Sequence, residues 1–331
     1  MQEAAYWTPY QEDKVFCQLC PRHCIISPGK TGTCRVRQNI DGKLYSLNYA
    51  RISSIAVDPI EKKPLYHFYP GANILSVGSF GCNLQCQYCQ NYSIAHQHPP
   101  TRMLTPAKLA ILARECMQEG SVGVAFTYNE PSIWYEYIRE SAEKIKQQDL
   151  QTVMVSNGYI EKEPLRSLMP YIDAWNIDLK AFNPEFYKTL CKGDLEMVKS
   201  SIEELAGKTH LEITTLIIPG WNDKQEEIKA LAHYLADLDP AIVLHLSAYF
   251  PTYKLEVPPP SREIMMQCKE TAQSALPFVY VGNMARVNND TLCKYCGEVI
   301  IERQAYRVQV SGIKDHHCIY CGQATDYIRG L

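Results

Sequence analysis

The chain has 331 residues, 46% apolar and 21% charged, with a formal net charge of −3. This is the balance of an ordinary globular protein, without the basic excess that marks a nucleic-acid-binding surface. No apolar run reaches the roughly 18 residues of a membrane helix, and the first residues carry no secretory core, so the expectation is a cytoplasmic protein without a membrane partner. The 14 cysteines stand out. In a reducing compartment, clustered cysteines read as metal ligands or reactive thiols rather than as a disulfide framework.

Residues 1–71 are rich in turns and poor in helical periodicity, which predicts a small irregular Cys-rich module. The dipeptide Asp41-Gly42 marks a hairpin turn leading into a strand over 43–48. Cys17, Cys20, Cys24 and Cys34 supply four metal ligands. Zinc and an auxiliary iron–sulfur cluster are both open here. Zinc is favoured because the module is irregular and peripheral, and His23 is an alternative ligand.

From residue 72 short apolar runs alternate with amphipathic stretches. Strands are predicted over 73–79, 122–127, 152–156, 174–179, 212–218 and 242–247, with a further one over 278–281. Thr105-Pro106 reads as a cap followed by a first-turn proline, and further helices are predicted over 224–236 and 261–275. Alternating strands and helices argue for a parallel α/β sheet. The predicted fold is a partial (β/α)6 TIM-like barrel over 72–288, with chemistry at the C-terminal ends of its strands. A doubly wound sheet is the alternative, but its G-x-G-x-x-G fingerprint is missing.

The first core strand runs into GSFGCNLQCQYCQN, which spaces Cys82, Cys86 and Cys89 as C-x3-C-x2-C. Four cysteines saturate a [4Fe–4S] cluster; three leave one metal position open. A structural zinc site completed by His96 or His98, or thiols without metal, are the alternatives. Further polar groups fall at the later strand ends: Asn129 and Glu130, then Ser156 and Asn157, then Asp178 and Lys180. The fifth strand carries Leu216 and ends in Pro219-Gly220-Trp221-Asn222-Asp223. His245 and Tyr249, near the sixth strand's end, are substrate-side candidates. Cys116 and Cys268 read as core residues, and Cys191 as structural or as a thiol hydrogen donor.

Residues 289–331 form a third unit. Cys293-x2-Cys296 and Cys318-x2-Cys321 are two knuckles of a zinc-ribbon or rubredoxin-like module, with zinc favoured over iron. His316 and His317 beside the second knuckle read as solvated.

The central cysteine motif, with aromatic Tyr88 before its last cysteine, resembles that of the radical S-adenosylmethionine (SAM) superfamily. The resemblance implies a [4Fe–4S] cluster on Cys82, Cys86 and Cys89, with its open iron chelating SAM. It also implies reductive cleavage of SAM to a 5′-deoxyadenosyl radical, which then abstracts hydrogen from a substrate. Tyr88, Asn129, Glu130, Ser156, Asn157, Asp178, Lys180 and Leu216 form the implied cofactor-binding set. Within it Glu130 would meet the SAM ammonium, Ser156 and Asn157 the ribose and carboxylate, Lys180 a carboxylate, and Asp178 a ribose hydroxyl or cation.

Residues 72–285 are similar to pyruvate formate-lyase-activating enzymes, although the arginine-containing segment expected before the cysteines is replaced by YPGANILSVGSF and Val155 stands where an aspartate is expected. The segments CQLCPRHC, KPLYHFYPG, NIDLKAFNPEFY and VYVGN resemble the AmmeMemoRadiSam radical SAM enzymes. That resemblance implies Memo-like and AMMECR1-like partners, while reductive SAM cleavage implies a one-electron donor of the flavodoxin or ferredoxin class. Alternatives are a glycyl-radical enzyme activase, or a non-enzymatic zinc-ribbon scaffold or nucleic-acid-binding protein.

Overall fold

The computed structural model describes residues 2–331. Its centre is one sheet of eight strands in sequential order: β1 (Ser54–Pro59), β2 (Asn73–Gly78), β3 (Ser121–Phe126), β4 (Gln151–Ser156), β5 (Ala174–Asp178), β6 (His210–Ile217), β7 (Val243–Ala248) and β8 (Val279–Gly282). Strands β2 to β8 are parallel neighbours and β1 is antiparallel to β2, from Ser54 opposite Gly78 to Pro59 opposite Asn73. Six crossovers carry the helices α1 (Pro106–Glu115), α2 (Tyr135–Lys146), α3 (Lys162–Leu168), α4 (Leu195–Leu205), α5 (Gln225–Leu238) and α6 (Arg262–Gln273). Strand-by-strand progression with helical crossovers is the (β/α) barrel pattern, left open here because β8 does not pair back to β1 or β2.

The helices begin where local chemistry stops the backbone from wandering. Thr105 caps α1 by accepting from the Lys108 N–H, with Pro106 in the first turn, and Ser261 caps α6 by accepting from the Ile264 N–H. Their apolar faces join one large core with the strands, in which Trp134, Trp175, Tyr137 and Tyr187 are among the largest fully buried side chains. Cys116 and Cys268 are buried in that core, as expected.

In the N-terminal module, Arg37–Ile40 and Lys43–Ser46 form a hairpin through Asp41-Gly42, both with positive φ, as a tight primed turn requires. One expectation is corrected. Residues 54–59, read as part of the N-terminal module, extend the core sheet as β1. As an edge strand that is mostly half-buried, β1 lacks the apolar run that announces the central strands.

At the other end of the chain, Thr291–Leu292, Val299–Gln304 and Arg307–Val310 form a small antiparallel sheet. This ribbon docks beside the start of β6: Arg303 Nη2 donates to Tyr66 O at 2.6 Å, and Arg329 N to His67 O at 2.8 Å. No helix among the described residues is long and apolar enough to cross a membrane.

Candidate active site

The C-terminal strand ends surround a cavity of about 330 Å³. Cys82, Cys86 and Cys89 line it, together with Tyr88, Asn129, Glu130, Asn157, Asp178, Lys180 and Leu216. Every residue of the expected cofactor-binding set except Ser156 therefore reaches one space, and Ser156 lies directly behind Glu130. No fourth cysteine lines the cavity.

The cysteine loop is fixed from several sides. Asn129 Oδ1 accepts from Ser79 N at 2.9 Å, and its Nδ2 donates to Gly81 O at 3.1 Å. Asn129 thus ties the turn after β3 to the loop after β2. Asn157 Nδ2 donates to Asn83 Oδ1 at 3.0 Å and approaches Cys82 Sγ at 3.7 Å. Gln85 N and Gln87 N donate to the carbonyls of Cys191 and Leu190, both at 2.9 Å, docking the loop on the turn before α4.

Glu130 is buried. Its Oε1 accepts from Ser132 N at 2.8 Å and Ser156 Oγ at 2.7 Å, and its Oε2 from Asn157 N at 2.8 Å. A carboxylate offers about four lone-pair sites, so one on Oε2 is left for a donor arriving from the cavity. Burial pushes this carboxyl up from its usual range, and the three hydrogen bonds only partly offset that. Across the cavity Lys180 Nζ lies 2.6 Å from Asp178 Oδ2. Burial alone would lower the Lys180 ammonium, but Asp178 and the Cys86 sulfur beside it hold it up, so it stays charged.

The thiols feel the same environment. Burial, then the nearby Glu130 carboxylate, pushes the Cys82 thiol well up. The hydrogen bond from Cys191 has the larger influence at Cys86 and lowers it. Three sulfurs, that of Cys86 buried and those of Cys82 and Cys89 half-buried, face one cavity, and a cation there would hold them as thiolates.

Three expected residues are placed elsewhere. Cys191 is fully buried behind the loop, its Sγ 3.2 Å from the Tyr88 hydroxyl, and it does not line the cavity. Tyr249 is fully buried and donates to Leu255 O at 2.6 Å, which fixes the loop after β7. His245 points into the opposite end of the barrel, with Nε2 2.6 Å from Glu212 Oε2. The two β7-region residues sit close to the predicted strand end in sequence; their facing, set by the pleat and the following turn, removes both from the cavity. Conversely Asn91 and Ser247 line the cavity but carry no spacing signal that singles them out, and Tyr128 joins them from the strand-end segment Tyr128-Asn129-Glu130-Pro131.

Residues 76–234 match the family model of the radical SAM superfamily. The chain is also 38% identical to the uncharacterized protein MJ0808 of Methanocaldococcus jannaschii, over 99% of this chain and 100% of that protein. The chain belongs to the radical SAM superfamily.

This radical SAM enzyme is 24% identical to the pyruvate formate-lyase 1-activating enzyme of Escherichia coli, over 57% of this chain and 84% of that one. Its fold is shared with a radical SAM methyltransferase from Sphaerobacter thermophilus (TM-score 0.50, 18% identity, 66% of this chain and 68% of that chain). It is shared likewise with Streptococcus suis SuiB bound to SAM (TM-score 0.53, 14% identity, 69% and 53%). The family's [4Fe–4S] cluster fits the donor set of this radical SAM site: three convergent sulfurs, none of them paired in a disulfide, and no competing fourth cysteine in the cavity wall.

The C-terminal cysteines form a different kind of site. Cys293 and Cys321 Sγ lie 3.7 Å apart, and Cys296 and Cys318 Sγ 3.8 Å. All four ligand atoms fall within 4.8 Å of one another. Zn–S bonds of about 2.3 Å in a tetrahedron give S···S edges of about 3.8 Å, so this set is dimensioned for one tetrahedral ion. His316 and His317 are exposed beside it.

Proposed function

We propose that this protein cleaves SAM reductively at the Cys82/Cys86/Cys89 site and that the resulting 5′-deoxyadenosyl radical takes hydrogen from a substrate at the mouth of the barrel. One observation carries the reading: three cysteines, a carboxylate with a spare lone pair and a charged lysine share a single cavity that no fourth cysteine enters. A [4Fe–4S] cluster held by the three cysteines supplies the electron for that cleavage. The chain's own residues orient and enclose. Glu130 accepts from the SAM ammonium through Oε2, Asn157 and Ser156 hold Glu130 in place, and Lys180 and Asp178 meet the carboxylate and ribose. The buried walls keep water from the reacting centre.

The electron comes from a donor of the flavodoxin or ferredoxin class. The partners we assign are Memo-like and AMMECR1-like proteins, in a reducing cytoplasm that keeps the cysteines free. A glycyl-radical enzyme as substrate is the second reading. It is favoured by the similarity to the Escherichia coli activating enzyme, while Val155 and the segment before Cys82 depart from that group's pattern.

The test is anaerobic reconstitution of wild type and a Cys82/Cys86/Cys89→Ala variant, followed by SAM and a chemical reductant. Wild type is expected to release 5′-deoxyadenosine and the variant none. Equal yields from the two, with the wild type carrying its full iron, overturn the catalytic reading.

A further inference from the structure

The catalytic cavity carries a positive charge that cluster and SAM leave unused. Residues 60–67 follow β1 and cross the end of the barrel opposite the cysteines. Pro64 O accepts from Asn176 Nδ2 of β5 at 2.7 Å, and Tyr66 N and His67 N donate to Glu212 of β6. Lys62 and Pro64 line the cavity from this segment. Among the described residues that line it, Lys62 is the one charged side chain outside the cofactor-binding set.

The charge of Lys62 is surplus to the fold. Asp58 Oδ2 already accepts from Lys63 Nζ at 2.8 Å and from the Tyr128 hydroxyl at 2.8 Å. The Lys63 side chain is 4% exposed, so this buried pair balances the carboxylate. Lys62 Nζ stands farther off, 3.3 Å from Asp58 Oδ1, with 43% of its side chain exposed. Its ammonium also lies 5.4 Å from the ring centre of Tyr306 in the ribbon, a contact that leaves the charge in place. An ammonium has three donors, and Asp58 takes only one of them.

The neutral groups of the same wall offer acceptors. Thr214 Oγ1 donates to Asn176 Oδ1 at 3.0 Å, which leaves the lone pairs of its oxygen. Asn283 Nδ2 donates to Ala248 O at 3.3 Å, which leaves Oδ1. Ser247 lies against Gly282, where a Cβ would come within 2.8 Å of Ser247 Oγ, so the glycine keeps that hydroxyl uncovered. Glu130 and Asp178 are taken by SAM, and among the described residues no further carboxylate lines the cavity to meet a second cation. One cation among neutral acceptors matches a ligand with an anionic head and neutral donors.

Resting on the SAM-cleaving function proposed above, we propose that the substrate is a small hydroxylated anion. Lys62 selects its head group, and Thr214, Ser247 and Asn283 accept from its hydroxyls. A lone lysine is a point charge without the fork of arginine, so it serves a carboxylate or a phosphate ester alike.

The test is calorimetric titration of the reconstituted enzyme, loaded with SAM and kept free of reductant, with glycerate, glycerol 3-phosphate and glycerol at one ionic strength. Wild type is expected to bind at least one of the two anions roughly tenfold more tightly than glycerol, and the tighter of them identifies the head group. Lys62→Gln should abolish that preference and Lys62→Arg should keep it, with SAM affinity unchanged in both. SAM binding without an anion preference in wild type overturns the proposal alone, as does a preference that survives Lys62→Gln. Wild type that fails to bind SAM overturns the cofactor assignment and the substrate class with it.

Discussion

The two ends of the barrel each bury a glutamate, and the pair shows how burial can serve opposite ends. Glu212, near the start of β6, is completely enclosed. Its oxygens accept from Tyr66 N at 2.9 Å and His67 N at 2.8 Å, and lie 2.9 Å from His210 Nε2 and 2.6 Å from His245 Nε2. All of its lone-pair sites are used by the protein. Burial would raise this carboxyl, but the two histidines more than offset it and hold it well below the usual range. Glu130, at the C-terminal ends, has three donors, a cavity in front of it and a raised pKa. A buried carboxylate is structural when the fold consumes every lone pair, and available to a ligand when the fold leaves one. The ribbon docks at the consumed end, through Tyr66 and His67; the cysteine loop occupies the open one.

The sharpest way to break this contrast is Glu212→Ala. It strands two histidines and two backbone N–H groups, and a loss of about 3–5 kcal/mol is expected in urea unfolding, as for a buried pair robbed of one partner. A loss below about 1 kcal/mol would leave the lower network without the anchoring role assigned to it.

Glu130→Gln should show the reverse profile. Replacing a charged acceptor costs about 1.5–3 kcal/mol of ligand binding, or roughly 10–100-fold in SAM affinity, measured on the reconstituted enzyme by equilibrium binding. Its effect on unfolding should be smaller than that of Glu212→Ala. Unchanged SAM affinity would remove Glu130 from the ammonium site.

Acid separates the two ends by sign. His67 is depressed by burial from 6.5 to about 3, so the stability it contributes is intact above 6.5 and is lost progressively as the pH falls from there towards 3. Glu212 adds to that loss below its ordinary value of 4.5. Glu130, being raised, contributes in the opposite direction, with stability present below 4.5 and lost as the pH rises through its folded value. Thermal unfolding midpoints should therefore fall on mild acidification, and Glu130→Gln should gain on wild type as the pH rises. A midpoint that rises from neutral pH to about 5 would contradict the assignment of His67.

The smallest effect is expected at Tyr249. Tyr249→Phe deletes one buried hydrogen bond, at a cost of about 1 kcal/mol, and should leave 5′-deoxyadenosine release unchanged. A variant of normal stability that no longer cleaves SAM would return Tyr249 to the cavity wall.

The sequence by itself determined the core strands to within a residue or two at most ends, because an apolar run buried between the outer helices and the barrel interior has no other stable use. It determined the cysteine sets too, since thiols so closely spaced along a chain cannot spread far apart. It also located the polar residues of the cavity, because each follows directly on a parallel strand whose C-terminal end the fold must share with its neighbours. Tertiary structure alone decided the rest. The edge strand β1 earns its place by hydrogen bonding to β2 and not by hydrophobic pattern. His245 and Tyr249 lie close in sequence to the end of β7, and Cys191 lies on the helical turn before α4, yet the pleat and the turns aim all three elsewhere. How tightly the four C-terminal cysteines gather, all within 4.8 Å of one another, is a matter of ångströms across space: spacing along a chain fixes which sulfurs can meet, and only the packing around them fixes how closely they do.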